Sequence, residues 1–260
     1  MQPLRRYSQA SNVLEWSAPP AALALGHGQV HVWRASLDRL GSRAEELQSL
    51  LDADERERAT RFRFEQDRLR FIVARGVLRM LLGRYLARHP SELTFVYSPL
   101  GKPSLPPDLR ARLLRFNLSH SNEFALFAFT FEGEVGIDIE QLCADFPEEE
   151  IAERFFSSGE VAALGALAPA LKTEGFFNCW TRKEAYIKAV GDGLSHQLEH
   201  FSVSLAPDEP AALIASADPL ELSRWSFREL TPAPGYVAAL VVEGRDLELQ
   251  CYDLLADQSF

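Results

Sequence analysis

The stretch Val135-Gly136-Ile137-Asp138-Ile139-Glu140 reads as a short strand of alternating character. Strand side chains repeat every two residues, so Ile137 and Ile139 share one face and Asp138 and Glu140 the other. Val135 and the isoleucines favour extended backbone, and Gly136 admits a close neighbour. Two like charges held side by side repel unless a cation or a proton lies between them. Hard oxygen ligands so placed suit Mg2+ or Mn2+, which keep several waters and share substrate phosphates. The same triplet also occurs on exposed strand edges with two solvated acids, so a metal site needs support from elsewhere in the chain.

The chain has 260 residues, enough for one large domain or two ordinary ones. With 47% apolar and 25% charged residues, it has the profile of a soluble globular protein. No apolar run is long enough to cross a bilayer, and Met1 to Ser17 lacks the apolar core of a secretion signal. Cys143, Cys179 and Cys251 fit neither a metal spacing nor a disulfide framework, so a reducing cytoplasm is expected. A formal net charge of −10 argues against nucleic acid as partner. Yet Arg56 to Arg88 holds ten arginines against Glu57, Glu65 and Asp67. A basic face on an acidic protein suits an anionic ligand or an acidic partner protein, or is simply a solvated helix face.

Residues 1–29 show little periodicity, and Val30 to Leu37 alternates as a strand. Asp52 or Asp54 is a candidate cap for the next helix. Leu69, Ile72, Val73, Val77, Met80 and Leu81 then recur at helical spacing as a core stripe. Arg61, Arg68, Arg75 and Arg79 share another stripe, and Pro90 ends the helix. Phe95 to Pro107 is a strand entering a proline-rich loop; Phe116 to Ser121 and Phe124 to Phe131 follow as strands, and Glu132-Gly133 is a turn. Beyond the acidic strand come an acidic helix start at Asp145 to Glu153 and a second start capped by Ser157 or Ser158. A longer helix spans about Thr173 to Val190, stopped by Gly191 and Gly193. Strands at Phe201–Leu205, Trp225–Leu230 and Tyr236–Val242, with a further one at Leu247–Leu254, complete the chain. The expected fold is α+β: two similar α/β lobes in a pseudo-twofold arrangement, residues 1–131 and 132–260, with the ligand cleft between them.

Within the long helix, Trp180-Thr181-Arg182-Lys183-Glu184-Ala185-Tyr186-Ile187-Lys188 concentrates unusual chemistry. Trp180 and Ile187 share an apolar face, and Glu184 and Lys188 lie along one side. An acidic D-x-E strand, then W-x-x-K-E-x-x-x-K on a helix, preceded by G-K-P at 101–103 and S-H-S at 119–121, resembles the 4'-phosphopantetheinyl transferases. The resemblance is to the long, two-lobed kind typified by the surfactin-synthetase activator. It runs from about Trp33 to Val241, and it is the ordered set of motifs that is specific, not any one of them.

That resemblance implies a reaction. Coenzyme A gives its phosphopantetheine arm to a serine hydroxyl of an apo acyl or peptidyl carrier protein, with Mg2+ (Mn2+ being possible), releasing adenosine 3',5'-bisphosphate. It implies Asp138, Glu140 and Glu184 as metal ligands, with Glu184 as general base or as ligand only. Lys188 would offset charge on the leaving group, and Lys183 would reach a phosphate. Ser119 and His120 match a pair that binds coenzyme A, His120 at its 3'-phosphate. Lys102 and Pro103 match a loop framing the adenine and ribose, and Arg70 and Arg58 match contacts to the nucleotide phosphates. Glu55 departs from the lysine common there and falls outside the site.

By the same resemblance the carrier's acidic helix meets the arginine-rich face, and the enzyme is a monomer. Glu160 supports a helix start or touches the carrier; Phe155, Phe156, Leu164 and Phe176 are core or dock it. Two other readings stand beside the transferase: a coenzyme A or nucleotide-binding protein without catalysis, and a carrier-binding module that has lost activity. Three convergent carboxylates favour catalysis, since binding alone has no use for their desolvation cost.

Overall fold

The strongest local pattern, alternating Val30, Val32, Leu126 and Ala128 against Ile137, Ile139 and Leu240, becomes the middle of the molecule: these side chains form one buried cluster between two sheets. The computed structural model describes residues 15–99, 101–107, 114–143, 146–191 and 198–254. The first sheet has the order β11-β1-β5-β4, built from β1 (Gln29–Ser36), β4 (Arg115–Ser121), β5 (Phe124–Thr130) and β11 (Glu248–Leu254). The second has the order β6-β10-β9, from β6 (Val135–Gln141), β9 (Trp225–Leu230) and β10 (Tyr236–Glu243). Two small hairpin sheets pair β2 (Val96–Tyr97) with β3 (Pro103–Ser104), and β7 (Ser202–Val203) with β8 (Leu213–Ala215). The result is a mixed α/β protein.

Each large sheet turns its other face to helices. On the first, α3 (Glu65–Leu86) buries Val77, Leu78 and Leu81 against Trp33, Phe127 and Phe129. On the second, α6 (Pro169–Val190) buries Phe176, Tyr186 and Ile187 against Phe227, Val237 and Val241. Period-two strands and period-3.6 helices thus stack as helix, sheet, sheet, helix. Among the described residues no helix is long and apolar enough to cross a membrane.

Several boundaries follow from capping. Asp52 caps α2 (Ala53–Thr60) in a capping box with Glu55, and α1 (Ala44–Ser49) precedes it. Ser157, not Ser158, caps α5 (Ser158–Ala166), again with an acid three residues on, Glu160. The acidic helix α4 is Glu148–Phe155. α6 starts earlier than periodicity suggests, at Pro169, whose missing N–H costs nothing in a first turn, and it stops at the left-handed Gly191. Gly193 lies outside the described residues. α3 ends at Ala87, also left-handed, three residues before Pro90. The short α7 (Glu221–Arg224) and the β8 strand have no clear pattern in the sequence.

Two expectations need correction. Leu247–Leu254 is a strand, but β11 runs parallel to β1, so the chain returns to the first sheet at its end. The arginine stripe is not a single solvated face. Arg75 and Arg79 are buried on Glu55, and Arg79 also reaches Asp52, because the acids of α2 pack directly over α3. Arg61 pairs with Glu57 and Arg68 with Glu65 at the surface, where such pairs contribute little.

Candidate active site

Gly136 decides where the site forms. A Cβ there would lie 2.0 Å from the Ala185 carbonyl oxygen and 2.5 Å from the Ala189 nitrogen. The absent side chain lets α6 lie directly on β6, on the face that carries Asp138 and Glu140. Glu184 and Lys188 then hang over that face from successive turns of α6.

The contacts are specific. Lys188 Nζ donates to Asp138 Oδ1 at 2.6 Å and to Ser119 Oγ at 3.1 Å. Ser119 Oγ donates to the same Asp138 oxygen at 2.7 Å. Asp138 Oδ2 is buried and has no hydrogen-bond partner among the described residues. Ser121 Oγ donates to Glu140 Oε2 at 2.9 Å. The Glu140 carboxyl is pushed up to about 7, first by burial and then by the Asp138 charge. Glu184 is raised as well, again by burial first and then by Asp138. Three carboxylates therefore share one electrostatic field with a single ammonium among them. Among the described residues no group of three His, Cys, Asp or Glu side chains converges as a finished ligand cage. The donor chemistry itself, an orphaned buried carboxylate oxygen beside two acids of raised proton affinity, fits Mg2+ or Mn2+.

Beside these groups opens a cleft of about 460 Å3. Its walls come from Arg58, Phe62, Phe71 and Arg75 on one side, from Gly101, Lys102 and Pro103 on the hairpin, and from Asn117 to His120 on β4. α6 closes it with Glu184, Ile187 and Lys188. The His120 ring is accessible to water inside this concave space yet crowded on most sides. Burial first, then the Lys188 and Arg70 charges, hold its pKa below the usual value. Arg70 does not line the cleft; Asp38 holds it at 2.8 Å and Asn122 at 3.0 Å, at His120's electrostatic range. Lys102 lines the cleft, but its ammonium donates to the Lys188 carbonyl and lies 3.8 Å from Glu134, clasping the hairpin to the end of α6.

Lys183 is the clear correction. It is fully buried, 2.8 Å from Glu160 and donating at 2.7 Å to the carbonyls of Leu198 and Phe201. One residue before Glu184, it points about 100° away around the helix, into the core, where no phosphate reaches it. Its partner Glu160 is 3% exposed and also accepts from the Val203 N–H, so it pins the start of α5 and touches no carrier. Phe156, Leu164 and Phe176 are core. Glu55 stays outside the cleft, yet through Arg75 it holds part of the wall. Phe62, Phe71 and Arg75 line the cleft without any sign of it in the sequence. Nothing distinguishes the two phenylalanines from core aromatics in the sequence, and Arg75 reads there as one surface arginine among ten.

Fold and site together define an α/β protein whose acid-and-lysine centre sits where two sheets meet. Residues 134–241 match the model of the 4'-phosphopantetheinyl transferase superfamily, and residues 33–132 match that of the 4'-phosphopantetheinyl transferase N-terminal region. The 4'-phosphopantetheinyl transferase HetI of Nostoc sp. is 41% identical over 229 residues, 88% of this chain and 94% of HetI. The 4'-phosphopantetheinyl transferase Sfp of Bacillus subtilis is 34% identical over 166 residues, 63% of this chain and 70% of Sfp. A solved holo-[acyl-carrier-protein] synthase of Thermotoga maritima aligns with a TM-score of 0.34 at 24% identity, covering 43% of this chain and 64% of that one. The chain belongs to the 4'-phosphopantetheinyl transferase superfamily and is an enzyme of that class.

Proposed function

We propose that the chain transfers the 4'-phosphopantetheine arm of coenzyme A to a serine of an apo acyl or peptidyl carrier protein. The reaction is Mg2+-dependent, with Mn2+ as a substitute, and releases adenosine 3',5'-bisphosphate. The observation that carries this reading is the meeting of Asp138 with Lys188 beside a cleft walled by Ser119, His120 and Glu184. Asp138, Glu140 and Glu184 would hold the ion, which would supply positive charge to offset that of the substrate and the leaving oxygen.

The chain's own groups do the rest. His120, which lines the cleft, donates a ring N–H to the 3'-phosphate. Arg58 and Arg70 bias the cleft toward anions, Lys102 and Pro103 shape the wall around the nucleotide, and Ser119 fixes Asp138 and Lys188 together. Glu184, whose burial raises its proton affinity, takes the proton of the incoming serine hydroxyl. The serine oxygen–phosphorus bond forms as the phosphorus–oxygen bond to the adenosine bisphosphate breaks, and the departing oxygen gains its charge near the Lys188 ammonium.

The same reading divides the chain at 131/132 into two similar lobes related by a pseudo-twofold, with the cleft between them, apart from β11, which returns to the sheet of the first lobe. The parallel roles of α3 and α6, each on its own sheet, support this. The carrier's acidic helix docks on the basic face of the exposed Arg58, Arg61 and Arg63, of which Arg58 lines the cleft, an encounter that salt weakens. The enzyme acts as a cytoplasmic monomer, its strand and helix acids coming from one chain.

Intact-mass measurement of several apo carrier proteins, each incubated with the enzyme, coenzyme A and Mg2+, tests the proposal. A gain of one phosphopantetheine arm is expected, and it ranks acyl against peptidyl carriers. No gain on any carrier, with a folded enzyme, overturns it.

A further inference from the structure

β4 and β6 are the facing edges of the two large sheets. Their ladder partners lie elsewhere, β4 on β5 and β6 on β10. Side chains of β4 bridge the gap instead. The Ile137 N–H donates to Asn117 Oδ1 at 2.9 Å, Ser119 Oγ to Asp138 at 2.7 Å, and Ser121 Oγ to Glu140 at 2.9 Å. These three sit at alternate positions, so a strand's two-residue period points all of them at β6 like the teeth of a comb. Ser121 does two things at once. While its hydroxyl donates to the Glu140 carboxylate, its oxygen accepts the Gln141 N–H at 3.1 Å. A hydroxyl has one donor and two acceptor sites and can do both.

We propose that Ser121 is a positioning residue for the transfer: it fixes the Glu140 carboxyl to the backbone of β6 and to β4, and so sets that carboxyl in register with Asp138. The role rests on the assignment of Glu140 as a metal ligand. Without the hydroxyl, Glu140 keeps its place on the strand but loses the donor that fixes its rotamer. The ligand pair then must be organised each time an ion binds. The burden falls on ion affinity rather than on coenzyme A binding, because the Ser121 side chain is not part of the cleft wall.

The test titrates Mn2+ into the full-length enzyme with saturating coenzyme A. Free Mn2+ is followed by electron paramagnetic resonance, and steady-state transfer is measured alongside. Ser121→Ala is expected to weaken Mn2+ binding by about tenfold, in keeping with a hydrogen bond to a charged group. At saturating Mn2+ its kcat and its KM for coenzyme A stay within about twofold of the parent's. Ser121→Thr keeps the hydroxyl and restores Mn2+ affinity; Ser121→Cys, close in size and a weaker donor, falls between. Parent-like Mn2+ affinity in Ser121→Ala, or failure of folded Ser121→Thr to restore it, overturns the proposal. Glu140→Gln separates the two layers of the argument. If it too binds Mn2+ like the parent, the metal assignment itself fails; if only Ser121→Ala is silent, the positioning role alone fails.

Discussion

Lys188 Nζ and Asp138 Oδ1 are 2.6 Å apart, one carried by the last turns of α6 and the other by the middle of β6. They are 50 residues apart in the chain and belong to different layers. The pair is lopsided: the Asp138 side chain is 5% exposed and that of Lys188 28%. The carboxylate is the committed partner, while the ammonium retains access to the cleft and to an arriving diphosphate.

That asymmetry predicts different outcomes for the two ends. Lys188→Ala should slow single-turnover transfer at least ~10-fold, as for loss of a charged group facing the leaving oxygen. It should also destabilise the fold, because a nearly buried carboxylate is left without its counter-ion. Asp138→Ala should abolish transfer with the fold intact, because the released lysine can turn to water. Rapid-quench kinetics and urea titrations of both variants measure this. Parent-like turnover in either would remove that residue from the mechanism.

Glu140 sets a conflict between stability and activity. Its carboxyl pKa is raised from 4.5 to about 7 in the folded protein, so its protonated form is the one the fold prefers. The associated stability is complete below the unfolded value and is lost as pH rises through about 7. Glu184, shifted in the same direction, adds to the loss. Glu140→Gln removes the charge and keeps the shape. In metal-free buffer at pH 8 it should be more stable than the parent by about 1–2 kcal/mol, a figure discounted for partial solvent access, and near parity at pH 4. The same variant should be inactive. Thermal melts across pH with a chelator present read this out, and parallel pH profiles would show that Glu140 carries no such burden.

Lys183 and Glu160 form the buried pair, and they test the correction directly. Lys183→Met should destabilise the protein by about 3–5 kcal/mol, since it leaves the buried Glu160 without its partner. Combining it with Glu160→Gln should recover part of that loss, because the amide carries no charge to desolvate while its oxygen can still accept the Val203 N–H. The KM for coenzyme A should stay at the parent value in the double variant. A large rise in KM would return Lys183 to the phosphate role that the sequence suggested.

How far the sequence reveals this arrangement depends on the range of each interaction. The alternation of 135–140, the capping acids after Asp52 and Ser157, and the stop at Gly191 are local, and each is legible from neighbours within four residues. Lys183 against Lys188 is not. Both fit the helical period, and only the position of Glu160 decides which one goes inward. Arg75 and Arg79 look like surface residues until α2 lays Glu55 over them. The return of β11 to β1 is set by pairing across more than 200 residues, which no local pattern records. The comb of Asn117, Ser119 and Ser121 is visible as alternation, but its target, an unladdered strand edge, exists only in the fold.

Gly136 connects these levels. With Gly136→Ala, the new methyl carbon would meet the Ala185 carbonyl oxygen at 2.0 Å, a backbone atom that cannot rotate aside. β6 is held on its other side by the full ladder to β10, so α6 has to move. A shift that relieves the clash carries Glu184 and Lys188 away from Asp138 and Glu140 together. Overpacking of this kind typically costs about 1–3 kcal/mol, and the folded fraction at moderate temperature should survive it. Transfer should fall much further, by about 100-fold or more, because misplacement of reacting groups by an ångström is enough for such a loss. Side-by-side melting curves and rates decide the matter. If activity drops only in proportion to the folded fraction, the contact between β6 and α6 sets stability alone; if it collapses in a folded protein, Gly136 fixes the height of the helix over the acids.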